Sequence, residues 1–399
     1  MVEISEKIGV FLKEQGFALD LDDLRQVADV FATEAERALS GAPSSLLMLD
    51  AHLSGDLIKG PSHSSSVIVV DAGGTNLRVA VVRFTGEGPI FSCVRKSEMP
   101  GTRGPVSADD FHAAIAAEVE AVRSEEPQAS AIGYCFSYSC RPLPDGDAEL
   151  ICWSKQIDAP EVVGQRVGAE LARHLSGEPL PIVVLNDTVA TLLAGLSRPG
   201  RECPGQIGFI LGPGRNLACI ENGMIRNAET GECDKVPHSP SDEAHDATLP
   251  DRGAAPFEKM VSGAYLGGVG QQLFRVAAEV GLLPQNRFDG NMLSTCDLDE
   301  LGMAEDDPVV RELARAVFRR AAVLTAAHLA AFVRRSAEGG RVPVRITVDG
   351  STYWKTQSVD FDGLVRRTLA ELVPEIPFEI FRVDEAPMVG AAVAAVLSR

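Results

Sequence analysis

The stretch VIVVDAGGTNLRVAVVRF, residues 67–84, sets two apolar, β-branched runs around a Gly73-Gly74-Thr75-Asn76 turn, with Asp71 closing the first run. Valine, isoleucine and phenylalanine at this density favour strands, and paired glycines let a backbone turn tightly and approach a ligand closely. A Rossmann turn or a P-loop passes from a strand into a helix, so that helix dipole and backbone N–H groups meet a phosphate together. Here a second strand follows, and no Gly-Lys-Ser/Thr occurs in the chain, so neither device fits. A glycine hairpin tip still offers N–H donors to an anion, and Asp71 beside it suits a hydrated Mg²⁺, which keeps several waters and takes one or two carboxylates.

The pattern returns in IGFILGPGRNLACIENGMI, residues 207–225, with a Gly212-Pro213-Gly214-Arg215 turn followed by Asn216. Two such hairpins far apart in one chain predict two related lobes, each supplying one wall of a cleft. Between them, SADDFHAAIAAEVEAV (107–122) reads as a helix capped by Ser107 and Asp110, and AIGYCFSY (131–138) as a buried strand. APEVVGQRVGAELARHLSG (159–177) reads as a helix ended by Gly177, and PIVVL as a strand running into the helical NDTVATLLAGL (186–196). Residues 20–40 predict an amphipathic helix with Leu24, Val27, Phe31 and Leu39 on one face. Residues 230–255, rich in Pro, Ser, Asp, Gly and His, read as a long mobile loop. Helical periodicity resumes over 256–280 and near 306–336, followed by a strand (344–351), a helix (about 361–372), a strand (378–383) and a final helix. Strands alternating with helices predict an α/β architecture.

Composition narrows the function. At 399 residues, with 45% hydrophobic and 23% charged, the chain is long enough for two lobes. Its 37 Lys and Arg against 56 Asp and Glu, a net charge of −19, repel nucleic acid and anionic lipid. The start alternates charge with apolar residues rather than building a signal peptide, and no uninterrupted apolar run reaches the roughly 18 residues of a membrane span. A cytoplasmic protein is expected. Eight cysteines are dispersed without a C-x-x-C, which reads as reduced thiols. Cys233, Asp234, His238 and His245 lack the tight pairing of a zinc site and read as a solvated loop.

One further position carries chemistry. Asp187 follows the strand PIVVL at the head of a helix, where the local reading is an N-cap. A carboxylate emerging from a central strand into a cleft also accepts the proton of an alcohol, which phosphoryl transfer requires together with cations around the moving phosphate.

With these features in place, the sequence resembles the hexokinase family, in the glucokinase-like branch of the sugar kinase, actin and Hsp70 ATPase fold. The resemblance runs from about residue 65 to the C-terminus. It is carried by DAGGTNLR, GYCFSYSCRPLPDGDAELICWSKQ, LNDTVAT, GPGRNLACIE, RNAETGE, FEKMVSGAYLG and VDGSTYWK. It implies a two-lobed, actin-like (ribonuclease H-like) α/β fold with a cleft between a small and a large domain. The small domain would span 65–187 with residues 385–399 returning to it. The large domain would span 188–384, with helices of 1–64 packed on it. It also implies ATP- and Mg²⁺-dependent phosphorylation of a hexose, most plainly glucose, at the 6-hydroxyl, by a monomer or homodimer that binds small molecules. A sugar-binding regulatory protein with weak kinase activity is the alternative.

Carried over by position, the resemblance implies that Asp187 takes the hydroxyl proton. Ser137, Ser154, Lys155, Asn186, Asn216, Glu229 and Glu258 would pair the sugar hydroxyls, as a buried polyol demands. Asp71, Gly73, Gly74, Thr75, Asn76 and Arg78 on one lobe, with Gly212, Gly214, Gly350, Ser351 and Gly390, would hold the nucleotide. Asp71 and Asp187 would reach the metal through water. Taken alone, Glu258 reads equally as a residue of a helix's first turn and Lys155 as a solvated lysine. Four departures stand out: Ser139 replaces a proline of the sugar loop, and Pro213 and Arg215 replace two threonines of the second glycine turn. Thr230-Gly231 replaces Trp-Gly after Glu229, and DEAPMVGAA lacks the serine, glycine and lysine pattern around adenosine. Pro213 removes an N–H from the phosphate's reach, while Arg215 is expected to add a cation there.

Overall fold

Each glycine hairpin opens a sheet. The computed structural model describes residues 2–54, 66–85, 87–153, 157–197, 205–337 and 342–397. Its strands are β1 (Leu49–Ser54), β2 (Ser66–Gly73), β3 (Asn76–Thr85), β4 (Gly88–Glu98), β5 (Ile132–Phe136), β6 (Ser139–Pro142), β7 (Ala148–Cys152), β8 (Ile182–Leu185), β9 (Gly205–Leu211), β10 (Arg215–Glu221), β11 (Met224–Asn227), β12 (Val344–Asp349) and β13 (Phe378–Phe381). The first sheet has the order β4-β3-β2-β5-β8, and the second β1-β11-β10-β9-β12-β13. In each, a hairpin meander of three antiparallel strands is followed by two strands parallel to the first. Apart from β1, the second sheet therefore repeats the connectivity of the first, as the two related sequence patterns predict. A short hairpin, β6 and β7, stands apart.

Three apolar layers hold this together. One buries helices Ala108–Glu125 and Val167–His174 against the outer face of the first sheet. A second gathers helix Leu21–Leu39 and the 29-residue helix Pro308–Ser336 on the second sheet. That long helix is apolar enough for a bilayer, yet 89% of its most apolar window is buried in protein, so it is a core helix. The third layer lies between the sheets and contains helices Asp187–Ala194 and Ala386–Leu397.

Glycines let these last elements approach within backbone distance. A Cβ on Gly208 would stand 2.3 Å from the Leu192 nitrogen, one on Gly390 1.7 Å from the Ala190 oxygen, and one on Gly133 2.1 Å from the Ala391 oxygen. Helix Asp187–Ala194 is thus clamped between β9 and the C-terminal helix, and Thr188 to Ala194 are all buried. Gly390, expected to touch nucleotide, instead sits in this helix contact; its missing side chain serves packing.

Three segments depart from the sequence reading. Residues 159–177 hold a short 3-10 turn, Pro160–Val162, then a helix only over Val167–His174, because Gly164 turns the backbone to φ 84°. Residues 256–280 form two helices, Pro256–Val261 and Leu266–Glu279. In the break, the Gly263 and Ala264 N–H groups donate to the carbonyls of Gly212 and Pro213 (2.8 and 3.0 Å), so the interruption fastens the second glycine turn. Residues 230–255, read as a solvated mobile loop, contain helix Pro240–Asp246. Its capping box joins Ser239 and Asp242, and the buried Asp242 carboxylate also accepts from Arg320 of the long helix (3.0 and 2.5 Å). Cys233 and His245 are buried in the same region. The local signals, serine then proline then aspartate, were those of a helix start.

Candidate active site

The first hairpin turn is open. Gly74 adopts φ 60°, a left-handed conformation that favours glycine, and nothing lies within 4 Å of where its Cβ would be. Its carbonyl is held by the Tyr138 hydroxyl (2.9 Å), and the Thr75 carbonyl by the Met99 N–H (2.9 Å). A cleft beside the turn is lined by Asp71, Gly73, Asn76, Arg78 and Ser137, with Asp187 at its base and Ile210 and Asp349 from the second sheet. Lys96 and Pro387 complete it. The structure thus gathers expected phosphate-side residues and Ser137, expected on the sugar side, with four that the sequence reading passed over: Lys96, Ile210, Asp349 and Pro387. Asp349 lies within VDGS, directly before the glycine chosen from that motif, so its signal was present.

Three carboxylates face this cleft. Burial pushes the Asp71 carboxyl above its usual range despite Arg78, and Asp187 nearby adds to the rise. Burial likewise raises Asp349, with the Gly350 N–H opposing and Asp187 again adding. Carboxylates gathered so, with two cations near, leave negative charge that a divalent cation neutralises; hard oxygen donors suit Mg²⁺.

Asp187 is not the cap of its helix. The Asn186 side chain takes that place, accepting from the Thr188 N–H at 2.8 Å. Asp187 occupies the first helical position, and its carboxylate accepts only from the Thr188 hydroxyl (3.3 Å) among described residues. It is therefore presented to the cleft from a rigid, fully packed helix.

On the other side of Asn186 lies a second recess, lined by Tyr138, Cys140, Val189, Asn227 and Glu229 among others. A relay of amides supports it: Asn216 Nδ2 donates to Asn227 Oδ1 (2.9 Å), and Asn227 Nδ2 donates to Glu229 Oε1 (2.7 Å). Asn227 was missed in the sequence, although it stands two residues before Glu229 in RNAETGE. Glu229 adopts φ 51°, a left-handed backbone for a residue with a side chain, and such outliers cluster at functional sites. Burial pushes its carboxyl up to about 7, against the Asn227 hydrogen bond. Gly231 lets this turn lie against Glu258, whose Oε2 accepts the Arg215 N–H at 2.8 Å. Burial raises the Glu258 carboxyl as well. Ser154 and Lys155 lie outside the described residues.

The second glycine turn is closed. The Gly212 carbonyl accepts from the Thr352 hydroxyl (2.8 Å) as well as from Gly263, and Gly212 abuts Gly350 and Ser351. A Cβ on Gly214 would meet Glu258 Oε2 at 3.0 Å. Arg215 does not supply a cation to this turn. Its guanidinium is buried in the core, 4.5 Å from the Phe257 ring centre and 5.7 Å from that of Phe209, with Nη2 donating to His328 Nδ1 (2.8 Å). Burial lowers Arg215 to about 9 and holds His328 well below its usual range, so the imidazole accepts as the neutral ring. Cation–π contact compensates part of the desolvation.

Comparison with known proteins agrees with this architecture. A family profile described as Hexokinase matches residues 12–196, and a second with the same description matches 206–397. The match begins well before residue 65, where the resemblance was read to start. Hexokinase-1 of Schizosaccharomyces pombe is 28% identical over 397 residues, covering 85% of this chain and 80% of that protein. A hexokinase from Schistosoma mansoni, solved in complex with glucose, superimposes with a TM-score of 0.76 at 24% identity over 99% of both chains. Another hexokinase crystal structure reaches 0.81 at 24% identity, covering 100% of this chain and 99% of that one.

Proposed function

The chain belongs to the hexokinase family and phosphorylates a hexose at the expense of ATP, and from this premise we propose that glucose is the hexose and its 6-hydroxyl the acceptor. The observation that carries the reading is the cap exchange at Asn186, which leaves the Asp187 carboxylate facing the cleft beside the open glycine turn. Asp187 accepts the 6-hydroxyl proton as that oxygen attacks the γ-phosphorus, the bond to the bridging oxygen breaks, and ADP leaves.

Glu229, Glu258, Asn186, Asn216, Ser137, Ser154 and Lys155 pair the other hydroxyls. Asn227 orients Glu229. On the nucleotide side, Gly73, Gly74, Thr75 and Asn76 bring backbone N–H groups to the phosphates, and Gly212, Gly214, Gly350 and Ser351 form the opposite wall. Mg²⁺ would be held through water by Asp71 and Asp187 and would balance the phosphate charge. Closure of the small lobe (65–187 with 385–399) on the large one (188–384 with 1–64) excludes water from the reacting atoms. Incubation with MgATP and each of several hexoses, followed by NMR of the product, tests the reading. Glucose 6-phosphate as the fastest-formed product is expected; a phosphate on another carbon, or preference for a different hexose, contradicts it.

A further inference from the structure

Arg78 has two carboxylate partners. Its Nε and Nη2 donate to Asp71 Oδ2 (2.9 and 2.5 Å), and its Nη1 donates to Glu385. Glu385 has no role in the reaction proposed above. It adopts φ 53°, which is unfavourable for a residue with a side chain. Its carbonyl accepts from the Val389 N–H (3.0 Å), so it stands at the positive end of helix Ala386–Leu397. Two residues on, Pro387 lines the phosphate side of the cleft together with Arg78, Asp71, Gly73 and Asn76. A guanidinium is a preferred partner of phosphate, and here an internal carboxylate holds one arm of it.

The charges around this point are out of balance. Asp71, Asp187, Asp349 and Glu385 face Arg78 and Lys96, with Arg382 near Asp349, four negative groups against three positive ones. Asp71, which would share its charge with a cation held through water, would then make less demand on Arg78. The other demand persists, because Glu385 remains on Nη1.

We infer that Glu385 is a resident anion that occupies Arg78 until a phosphate of the donor nucleotide displaces it, so that this residue weakens binding of nucleotide and leaves binding of hexose unchanged. The inference rests on the nucleotide reading of the cleft. Phosphate wins the exchange because it carries more charge and matches the guanidinium fork. Glu385 is half exposed, its side chain 50% accessible, so the contact it gives up is a solvent-screened one and the penalty is about two- to fivefold in affinity.

The test is E385Q, which keeps side-chain length and removes the charge, alongside E385N, which tolerates the left-handed backbone and is too short to reach Arg78. Calorimetry measures Kd for AMPPNP with Mg²⁺ and, separately, for glucose; steady-state kinetics supplies KM for ATP and kcat. The expected result is a two- to fivefold lower nucleotide Kd and KM in both variants, with glucose Kd, kcat and melting temperature unchanged. Unaltered or weaker nucleotide binding in both, with normal melting and glucose binding, overturns the inference. A parent protein that binds glucose but no nucleotide overturns the reading of the cleft, and the inference with it.

Discussion

The two glycine hairpins share one topology and have opposite surroundings. The turn after β2 is exposed, with open space where a Gly74 side chain would stand, while the turn after β9 is fastened by Gly263, Ala264, Thr352 and the Gly350 backbone. Arg215, expected to add a cation to the second turn, points into the core toward His328. A repeated element thus stands open in one lobe and is pinned by tertiary contacts in the other. What separates them is tertiary contact, not the glycines.

The largest expected effect follows from the closed turn. Gly350 adopts φ 115°, and a Cβ there would lie 2.2 Å from the Leu211 oxygen, so Gly350→Ala should cost about 3 kcal/mol in chemical denaturation through strain and overpacking. Gly74→Ala in the open turn should cost about 1 kcal/mol, from backbone conformation alone. Equal costs would erase the distinction between the turns.

A smaller effect concerns the strands that leave the closed turn and carry the sugar side. The Glu229 carboxyl is raised to about 7, and donation from sugar hydroxyls favours its ionised form. Glucose affinity should therefore rise by about tenfold between pH 6 and pH 8, with a proton released on binding. The same raised value means that Glu229 contributes stability at low pH that is lost as pH climbs from the unfolded carboxyl range through 7. Calorimetry in buffers of different ionisation enthalpy reads the proton directly; affinity flat across this window would remove Glu229 from the sugar contacts.

The smallest effect tests Arg215. Its Nε and Nη1 have no hydrogen-bond partner among the described residues. Replacing a buried charge that lacks a carboxylate by an apolar chain of similar volume is commonly neutral or stabilising. Arg215→Met should melt at or slightly above the parent temperature and keep its KM for ATP. A large rise in that KM would show that the guanidinium reaches phosphate, and the closed turn would have to open in use.

Much of this was legible in the chain. β-branched runs, glycine pairs and strand-terminal aspartates depend on neighbours close in sequence, and they led to both sheets, the repeat of topology and the cleft around Asp71 and Asp187. What escaped depends on partners far away. Gly390 looks like a nucleotide glycine until Ala190 is seen against it, and Arg215 looks like a phosphate cation until His328 and Phe257 are brought beneath it. Helix Pro240–Asp246 is short and polar, and Arg320 from the long helix completes the polar cluster around Asp242. The Asn186 cap was the subtlest case, because Asn and Asp are both good caps and only geometry decides which one is spent.

The account stands on Asp187 as proton acceptor, and Asp187→Asn tests it most directly, since the amide keeps the shape and loses the basicity. Glucose Kd by calorimetry should stay within about threefold of the parent, while kcat falls by about 10²- to 10⁴-fold. A variant that phosphorylates glucose at the parent rate would contradict the account.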